Sequence, residues 1–555
     1  MTIYSVVSDF NISPLVGYLR KVLASRSEVI DKGNSSVQLV LMSWNDCRTF
    51  DDRKVDRAVV WTRPEAMFPS FVNGLYGNLL DISKLDREVE EFLEILEMAS
   101  EKLSALWIPL WVRSDYVRGM GIGEYKTGGI NWALQRMNNS LIQLCSRSGT
   151  IHVLDTYRWL SVTSNAHDPK LWFMGKVPFN NPIFREAASD VDAGRRALDG
   201  QTAKLIILDL DGTLWGGIVG ELGWSALTLG GHDHVGEAYS DFQKALKGLS
   251  RRGIMLAISS RNEESVALEA IDLNPEMILS RSDFVSWRID WNDKAENIVS
   301  LASELNIGLS NVVFIDDQLA ERSRVREALP EITVPEWPQD PAMYVKALGE
   351  MVVFDTFGVS DEDRQRKSIY FEENQRKASQ FGAQSINEWL SKLELTVRYE
   401  PLSYKNVSRA VQLLNKTNQV NLRTRRMSKE EFLSWAEQDE NECWVFSSKD
   451  RFGDSGIIGL VGLESFDGDG MLADYVVSCR VLGRGIEQVL LHVASLRVEQ
   501  KGLKKLWAEC LPTDKNRPCL EIMSKILDTD KTNKLKFFCD SAIVVPLPQH
   551  VTLDR

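Results

Sequence analysis

Acidic and hydroxyl side chains stand near the ends of apolar, strand-like segments in the middle of this chain, and a lysine stands between two of these segments near a predicted helix start. They are Asp209, Asp211, Thr213, Ser260, Lys294, Asp316 and Asp317. In an open parallel sheet, ligands bind at the carboxyl ends of the strands. We therefore expect these side chains to converge on one site.

Clustered carboxylates suit a phosphoryl group held together with Mg²⁺. Neighbouring carboxylates raise one another's pKa values, and a divalent cation with oxygen ligands removes that penalty. One carboxylate can attack phosphorus to form an aspartyl phosphate, while a second protonates the leaving group and later activates water. A lysine and a hydroxyl group can hold the oxygens on which charge accumulates. The alternative is that these acids only cap strand ends and turns.

The elements that would position these groups predict an α/β multidomain fold. Residues 1–185 alternate strand and helix patterns, which is typical of a doubly wound sheet. Its predicted strands lie at 3–10, 36–44, 57–63, 103–112 and 149–159, with a helix at 13–26. A polar stretch that follows predicts a linker helix.

Residues 200–350 predict a second α/β domain with stronger signals. Continuous apolar runs at 203–211, 253–260 and 311–317 are expected of parallel strands covered on both faces. Residues 351–395 are charged and predict a helical connector. Residues 396–550 mix strands with a long helix that begins at 486, which indicates an α+β domain.

Composition excludes several classes of function. The length of 555 residues predicts three or four domains. The net charge of −13 and the lack of a long basic run argue against a general nucleic-acid binder. We find neither a signal-peptide pattern nor an apolar run long enough for a membrane span. The seven cysteines form no CxxC pair, which favours a cytoplasmic protein without a disulfide framework or zinc site.

The polar groups resemble the four motifs of the haloacid dehalogenase (HAD) phosphatase superfamily. The first motif is DLDGT, and Ser260, Lys294 and the Asp316–Asp317 pair follow in order. The resemblance implies that Asp209 is the nucleophile and Asp211 the general acid and base. The phosphate-binding residues it implies are Thr213, Ser260 and Lys294.

The same resemblance implies a Mg²⁺ cofactor. Its ligands would be Asp209, the main-chain carbonyl of Asp211, and Asp316, with Asp317 in support. The intervals between the motifs are too short for a separate cap domain. An open site of this kind admits a large substrate, or one presented by a neighbouring domain.

The sequence around the motifs resembles the FkbH family of the capless IIIC branch of the superfamily. The matching segments are DLDGTLWGGIVGE, WNDKAENI, VVFIDDQLAER, LLNKTNQVNLRTRR and SCRVLGRGIE. The family often has Asn at the position of Gly212, and Cys-Ser-Lys-Asn where this chain has Ser259-Ser260-Arg261-Asn262. The arginine keeps the positive charge but alters the group that meets the substrate.

The resemblance implies two linked reactions. Proteins of this family in polyketide pathways take 1,3-bisphosphoglycerate, remove its phosphates and load a glyceryl unit onto the phosphopantetheine arm of an acyl carrier protein. The acyl group passes through an enzyme cysteine. The substrate expected here is a small phosphorylated three-carbon acid.

The C-terminal region must then supply the thiol and receive the carrier. Its RVLGRG segment matches the R/Q-x-x-G-x-G/A loop of the GNAT acyltransferase fold, which implies a pantetheine-binding loop at a helix start. The loop residues are Arg480, Gly483, Arg484 and Gly485. Cys479 precedes the loop and is the predicted acyl carrier, with Cys443 the next candidate.

A further polar group follows a predicted helix of the same region. It comprises Asn418, Gln419, Asn421 and Arg425. These side chains either line the acyl or pantetheine site or only cap and solvate the helix end. The sequence leaves both alternatives open.

The N-terminal region vaguely resembles SGNH hydrolases in its strand ends. Ser8 and Asp9 stand where a nucleophile block would fall, but no Asp-x-x-His follows, and His152 and His167 are isolated. We predict a degenerate SGNH-like domain with a docking or structural role.

Two other functions remain as alternatives. The first is a Mg²⁺-dependent HAD phosphatase that acts on a small phosphorylated metabolite, such as a polysaccharide precursor, without acyl transfer. The second is a carrier-protein docking scaffold with a decayed active site. The segment 479–485 separates transferase from phosphatase, because a pure phosphatase needs no thiol beside a pantetheine loop. The intact acids argue against decay.

Overall fold

The fold is taken from a computed structural model of the chain. It describes residues 2–23, 27–45, 55–113, 121–359, 385–513 and 516–554, together with positions 364, 370, 372, 376 and 379. The chain divides into two compact units. The first comprises Met1–Leu249, Leu256–Arg281 and Trp287–Val359, and the second comprises the rest of the chain.

The N-terminal region is built on a five-stranded sheet in which every neighbouring pair is parallel. The strand order is β2-β1-β3-β4-β5, with β1 at Thr2–Ser8, β2 at Ser27–Lys32, β3 at Arg57–Trp61, β4 at Ala105–Pro109 and β5 at Ile151–Leu154. Buried clusters cover both faces of the sheet. The predicted α/β class is confirmed.

Nine helices are described in this region. They are α1 Ser13–Val22, α2 Val37–Asn45, α3 Pro64–Met67, α4 Pro69–Leu75, α5 Ile82–Ser100, α6 Ile130–Arg147, α7 Thr156–Leu160, α8 Pro169–Gly175 and α9 Asn181–Leu198. The prediction of a strand at 36–44 is wrong, because that segment forms α2. Val37 and Leu41 are buried one helical turn apart while Leu39 is exposed, so the apolar run follows a helical period.

Helix α9 overlaps the polar stretch that was predicted to form a linker helix. The expected domain end at residue 185 falls inside α9, which buries Ile183, Ala187 and Val191 against the N-terminal core. These positions recur every four residues, which gives the polar stretch one apolar face. The helix is therefore part of the N-terminal core.

The middle region holds a four-stranded sheet in the order β8-β7-β6-β9. Its strands are β6 Leu205–Leu208, β7 Met255–Ser260, β8 Phe284–Ile289 and β9 Val312–Ile315. Its helices are α10 Val219–Leu222, α11 His234–Arg251, α12 Glu264–Leu273, α13 Lys294–Glu304, α14 Leu319–Ala328 and α15 Tyr344–Gly349. Strand β8 was not predicted; the other three strands coincide with the predicted apolar runs.

The C-terminal region forms an eight-stranded sheet in the order β15-β16-β14-β13-β12-β11-β10-β17. Its strands are β10 Leu395–Pro401, β11 Asn441–Asp450, β12 Gly453–Phe466, β13 Asp469–Val477, β14 Lys505–Glu509, β15 Asp528–Thr529, β16 Lys536–Asp540 and β17 Val551–Asp554. Its helices are α16 Ile386–Lys392, α17 Val407–Lys416, α18 Lys429–Ala436, α19 Ile486–Gln500 and α20 Arg517–Ile526.

Two neighbouring pairs of this mostly antiparallel sheet are parallel: β10 with β17 at one edge, and β13 with β14 in the interior. Strands β13 and β14 pair from Gly470 opposite Leu506 to Leu472 opposite Ala508, although β13 continues to Val477. The segment 420–422 fills the opening beyond that point. The Leu422 N–H donates to the Tyr475 carbonyl, and the Leu422 carbonyl accepts from the Leu511 N–H.

One prediction falls partly outside the described residues. Part of the predicted connector at 351–395 does so, and its described end contains α16 and the first residue of β10. Cys47 also lies outside them. Among the helices that the structure describes, none combines the length and apolar character that crossing a membrane requires.

Candidate active site

The register between β6 and β9 brings two of the predicted acids together. The strands pair in parallel with Leu208 opposite Ile315, so Asp209 and Asp316 follow at the same edge of the sheet. The Asp209 N–H donates to the Ile315 carbonyl at 3.0 Å. One carboxylate oxygen each from Asp209, Asp316 and Asp317 lies within 4.8 Å of the others. We call these three residues the acid cluster.

Lys294 supplies positive charge to the acid cluster. It is the first residue of α13, whose N-cap Asp293 accepts the Ala295 N–H. The Lys294 Nζ lies 2.6 Å from Asp316 Oδ2 and 3.1 Å from Asp209 Oδ2. Helix α13 therefore points its first side chain into the acids.

Burial and crowding shift the pKa values of these groups. Burial, reinforced by the charge of Asp209, raises the pKa of Asp316 to about 6. The same two causes raise the pKa of Asp317. Burial lowers the pKa of Lys294, but Asp209 and Asp316 more than offset it, so the net pKa is raised. The cluster holds more negative charge than one lysine neutralises.

Two buried carboxylate oxygens of the acid cluster lack hydrogen-bond partners among the described residues. They are Oδ1 of Asp209 and Oδ1 of Asp317. A buried charged oxygen without a partner costs free energy. Several carboxylate oxygens in a small volume are the donor set that hard divalent cations prefer. The residues therefore fit such an ion.

The Asp211 carboxylate lies apart from the acid cluster. Its Oδ1 accepts from the Trp215 indole N–H at 2.8 Å and the Val219 N–H at 3.0 Å. Its Oδ2 accepts from the Asn262 amide at 2.9 Å. Asp211 is thus positioned by three donors and left outside the predicted metal ligands, except through its main chain. This separation suits different roles for Asp209 and Asp211.

Trp215 and Asn262 are functional candidates that reasoning from residue types missed. Both lie in segments that mark the family resemblance, WGG and SSRN, so the signal was present without a role attached. Arg322 was also missed. Its guanidinium donates to the Asp316 and Asp317 carbonyls at 2.8 and 2.7 Å, which fixes the turn that carries both acids.

The hydroxyl groups predicted to bind phosphate lie beside the acids. The Ser260 hydroxyl is buried and accepts from the Asn262 amide at 3.2 Å. The Thr213 hydroxyl accepts from the Asp317 N–H at 3.2 Å. Both therefore contact residues that hold the carboxylates.

Position 212 requires a glycine, because of its backbone conformation and because a neighbouring side chain lies close to it. Its φ is +71°, and a Cβ there would lie 2.5 Å from Asp317 Oδ2. Its carbonyl accepts from the hydroxyl groups of Tyr239 and Tyr344 at 3.3 and 2.8 Å. The glycine thus allows the acid-bearing loops after β6 and β9 to approach closely.

The C-terminal loop contains an exposed thiol. Cys479 begins a short 3₁₀ turn, Cys479–Val481, after β13. Gly483 and Gly485 follow with φ of +78° and +82°, and Gly485 is the N-cap of α19. The thiol is therefore accessible, on a turn separate from the helix start.

Side chains of the domain already bind to parts of this loop. The Gly483 N–H donates to the Glu487 carboxylate at 2.5 Å. Arg484 is buried, donates to the Arg480 carbonyl at 2.8 Å and lies 3.7 Å from Asp450. Arg480 donates to the Ser478 hydroxyl. The predicted ligand-binding role of Arg484 is at odds with its burial in this conformation.

The group at 418–425 takes part in internal contacts. The buried Asn421 amide donates to the Leu414 and Thr417 carbonyls, each at 3.1 Å. Arg425 forms a two-pronged ion pair with the buried Asp474. These contacts favour the capping alternative for both residues.

The other two members of the group lie nearer to solvent. Asn418 accepts from Arg426 at 2.6 Å, and Gln419 is exposed. The four side chains therefore do not form one lined site.

Cys443 differs from Cys479 in exposure, because Cys443 is buried. Burial, followed by the charge of Asp474, raises its pKa. It lines a cavity of about 360 Å³ together with Tyr399, Trp444 and Arg497. The raised pKa disfavours the thiolate that nucleophilic attack requires.

The two polar residues at the end of β1, Ser8 and Asp9, contact a main-chain N–H and an arginine. The buried Ser8 hydroxyl accepts from the Phe10 N–H, and Asp9 forms an ion pair with Arg63 at 2.8 Å. Arg63 in turn lies 4.0 Å from the Trp172 ring centroid. Asp9 thus holds an arginine in place, as a structural or docking role allows.

Comparisons with known proteins give a limited set of similarities. No protein family and no curated protein matches the chain. A solved structure from Bacteroides fragilis, the N-terminal part of a protein that contains a phosphatase domain complexed with Mg, is similar. It is 24% identical, with a TM-score of 0.58, and covers 64% of this chain and 94% of that one. The likeness shows that the two proteins share their fold over that part.

Acetyltransferases match the chain much less closely. The ribosomal-protein-S18-alanine N-acetyltransferase of Escherichia coli is 10% identical, with a TM-score of 0.20, and covers 28% of this chain and 97% of that one. A spermidine N-acetyltransferase from Vibrio cholerae is 13% identical, with a TM-score of 0.21, and covers 27% and 95%. TM-scores this low carry no argument, so the GNAT-like domain stays a prediction. The SGNH-like domain also stays a prediction.

Proposed function

We propose that the protein is a Mg²⁺-dependent phosphatase of the HAD type that also loads a glyceryl unit onto an acyl carrier protein. The acid cluster with Lys294 carries the first half of the proposal. Three carboxylates at the end of a parallel strand pair, one lysine, and two buried oxygens that have no partner among the described residues suit phosphoryl transfer.

The phosphatase reaction uses the two separately held acids. An Asp209 oxygen attacks phosphorus, and the bond between phosphorus and the leaving oxygen breaks. Asp211, when protonated, gives its proton to that oxygen. Asp211 then takes a proton from water, which attacks the aspartyl phosphate, releases phosphate and restores Asp209. Lys294 stabilises negative charge near Asp209 throughout.

The proposed Mg²⁺ site follows from the same residues. Asp209, Asp316 and Asp317 would hold the ion together with the main-chain carbonyl of Asp211. When bound, the ion supplies positive charge to the oxygens of the transferring phosphoryl group. The solved structure from Bacteroides fragilis, which contains Mg, supports this part of the proposal.

The acyl transfer uses the exposed thiol of the C-terminal unit. The Cys479 thiolate attacks the acyl carbon of 1,3-bisphosphoglycerate, the carbon–oxygen bond to phosphate breaks, and phosphate leaves with the electron pair. The pantetheine thiol of the carrier, after losing its proton, attacks the resulting thioester and releases the Cys479 thiolate. The exposure of Cys479, together with the buried state of Cys443, supports this choice of thiol.

The other predicted features complete the proposal. The N-terminal domain would serve for docking or support, and the protein would act in the cytoplasm without nucleic acid or membrane. The main alternative is a phosphatase of a small phosphorylated metabolite without acyl transfer. The Glu487 carboxylate on the Gly483 N–H favours that alternative, because it competes with a phosphate at the loop.

Intact mass measured after incubation with 1,3-bisphosphoglycerate and Mg²⁺ tests the proposal. We expect a glyceryl adduct without phosphate, its loss in Cys479→Ala, and a persistent phosphorylated adduct in Asp209→Asn. The matched control is Cys145→Ala, which removes a thiol from an N-terminal helix and should keep the adduct.

Two outcomes would contradict parts of the proposal. An adduct that survives Cys479→Ala and disappears in Cys443→Ala would assign the acyl group to the other thiol. Hydrolysis of p-nitrophenyl phosphate without any adduct would support the phosphatase activity and exclude the acyl transfer.

A further inference from the structure

An ion pair joins the segments that follow the two strands on either side of β6. The Arg261 guanidinium Nη2 lies 3.1 Å from Glu321 Oε1. Arg261 directly follows β7, and Glu321 lies in the first turn of α14, just after the acids that follow β9. Neither residue belongs to the acid cluster.

The strand order determines where this ion pair must run. Strand β6 lies between β7 and β9 in the sheet. Neighbouring strands are about 4.8 Å apart, so the ends of β7 and β9 are separated by about 10 Å. The Arg261–Glu321 pair spans that gap across the end of β6, the strand that Asp209 follows. It therefore lies next to the place where a phosphoryl group would react.

The pair is only partly satisfied, which suits a contact that opens. Glu321 is almost fully buried, and its Oε2 has no hydrogen-bond partner among the described residues. The Arg261 side chain is 46% exposed, and a guanidinium carries five N–H donors. Arg261 can therefore leave Glu321 and contact a second group.

The charge of the site gives that second contact a purpose. Asp209, Asp211, Asp316 and Asp317 face a substrate whose phosphoryl group is itself anionic. A further negative group on the substrate would be repelled unless a cation received it. Arg261 brings such a cation to the same edge of the sheet. An arginine also binds a carboxylate or a phosphate through two parallel hydrogen bonds.

We propose that Arg261 determines substrate class by binding a second anionic group, a carboxylate or a second phosphate, while the reacting phosphoryl group lies at Asp209. Glu321 holds Arg261 in place until the substrate arrives. The inference rests on the proposed phosphatase function and deepens it. It selects phosphorylated acids over phosphorylated neutral polyols and sugars.

Steady-state kinetics on three substrates test the inference. The substrates are 3-phosphoglycerate, glycerol 3-phosphate, which lacks the carboxylate, and p-nitrophenyl phosphate. In Arg261→Gln we expect KM for 3-phosphoglycerate to rise about tenfold, as the loss of one charge-assisted contact predicts. We expect kcat to stay within about twofold, and both constants for the other two substrates to do so too, since only the binding of the second anion is removed.

Companion variants separate binding from structure. Glu321→Gln leaves Arg261 without its ionic partner, so KM for 3-phosphoglycerate should fall. Arg261→Lys should restore part of the affinity, since it keeps the charge but lacks the fork. The matched control is Arg281→Gln, which removes an exposed ion pair with Asp272 and should change nothing.

The outcomes against the inference are distinct from those against the phosphatase. If Arg261→Gln raises KM equally for 3-phosphoglycerate and glycerol 3-phosphate, or lowers kcat for all three, Arg261 has a structural or general role and the inference is wrong. If the unmodified protein hydrolyses none of the three, the proposed function fails and the inference with it.

Discussion

The acid cluster and the loop at Gly483–Gly485 handle their polar groups in opposite ways. In the acid cluster, Asp209 and Asp317 each keep a buried oxygen without a partner among the described residues. In the loop, the Gly483 N–H binds Glu487 and the Arg484 side chain is turned toward Asp450. The first region leaves polar atoms for a ligand, while the second satisfies them internally.

This difference separates a prepared site from one that must rearrange. Carboxylates held close together at a cost in free energy are ready to bind a cation and a phosphoryl group. A phosphate can reach the Gly483 N–H only after the Glu487 carboxylate has moved away from it. The comparison therefore predicts that phosphatase chemistry depends on the existing geometry and carrier binding on a local change.

The largest effect is expected from removing the nucleophile. Asp209→Asn should lower the turnover of p-nitrophenyl phosphate by about 10³-fold or more, because the aspartyl phosphate can no longer form. The measurement is the steady-state rate with saturating Mg²⁺, with Arg281→Gln as a surface control. Residual activity within tenfold of the unmodified protein would contradict the role of Asp209.

The next effect concerns a residue whose function the sequence left open. Arg425→Met should lower the free energy of unfolding by about 3–5 kcal/mol, because it leaves the buried Asp474 carboxylate unpaired. Urea unfolding measures the change. Arg517→Met, which removes an exposed pair with Glu521, is the control and should have little effect. Unchanged stability in Arg425→Met would contradict a structural role for Arg425.

Metal binding should stabilise the protein through the acid cluster. At a Mg²⁺ concentration about 100 times Kd, the free energy of unfolding should rise by about 2.7 kcal/mol. Asp317→Asn should lose most of that gain, whereas Asp211→Asn should keep it, because the Asp211 carboxylate binds Trp215 and Asn262. Thermal unfolding with and without EDTA gives the comparison. Equal losses in both variants would place the Asp211 carboxylate among the ligands.

The smallest effect should come from opening the loop. Glu487→Gln removes the negative charge beside the Gly483 N–H, so phosphopantetheine should bind about tenfold more tightly. Calorimetry measures the affinity, and Glu499→Gln, at an exposed position of the same helix, is the control. An unchanged affinity in Glu487→Gln would mean that the loop does not receive the phosphate.

Sequence reasoning was most successful where the signal was local. The runs that became β6, β7 and β9 are continuous and apolar, and their order along the chain placed the acids at strand ends. It failed for α2, since an uncharged apolar run suits both a strand and a buried helix face. It also missed Trp215 and Asn262, whose contacts with Asp211 depend on side-chain direction.

The sequence by itself determined which residues are candidates for the proposed chemistry and which strands position most of them. Residue types and their places after apolar runs are properties of short segments, and parallel strands open at a common edge. Only the tertiary structure decided how those residues are used. Asp211 meets Asn262, Arg425 meets Asp474 and Arg261 meets Glu321 across long separations in the chain. Such contacts depend on the packing of distant elements, which no local pattern specifies.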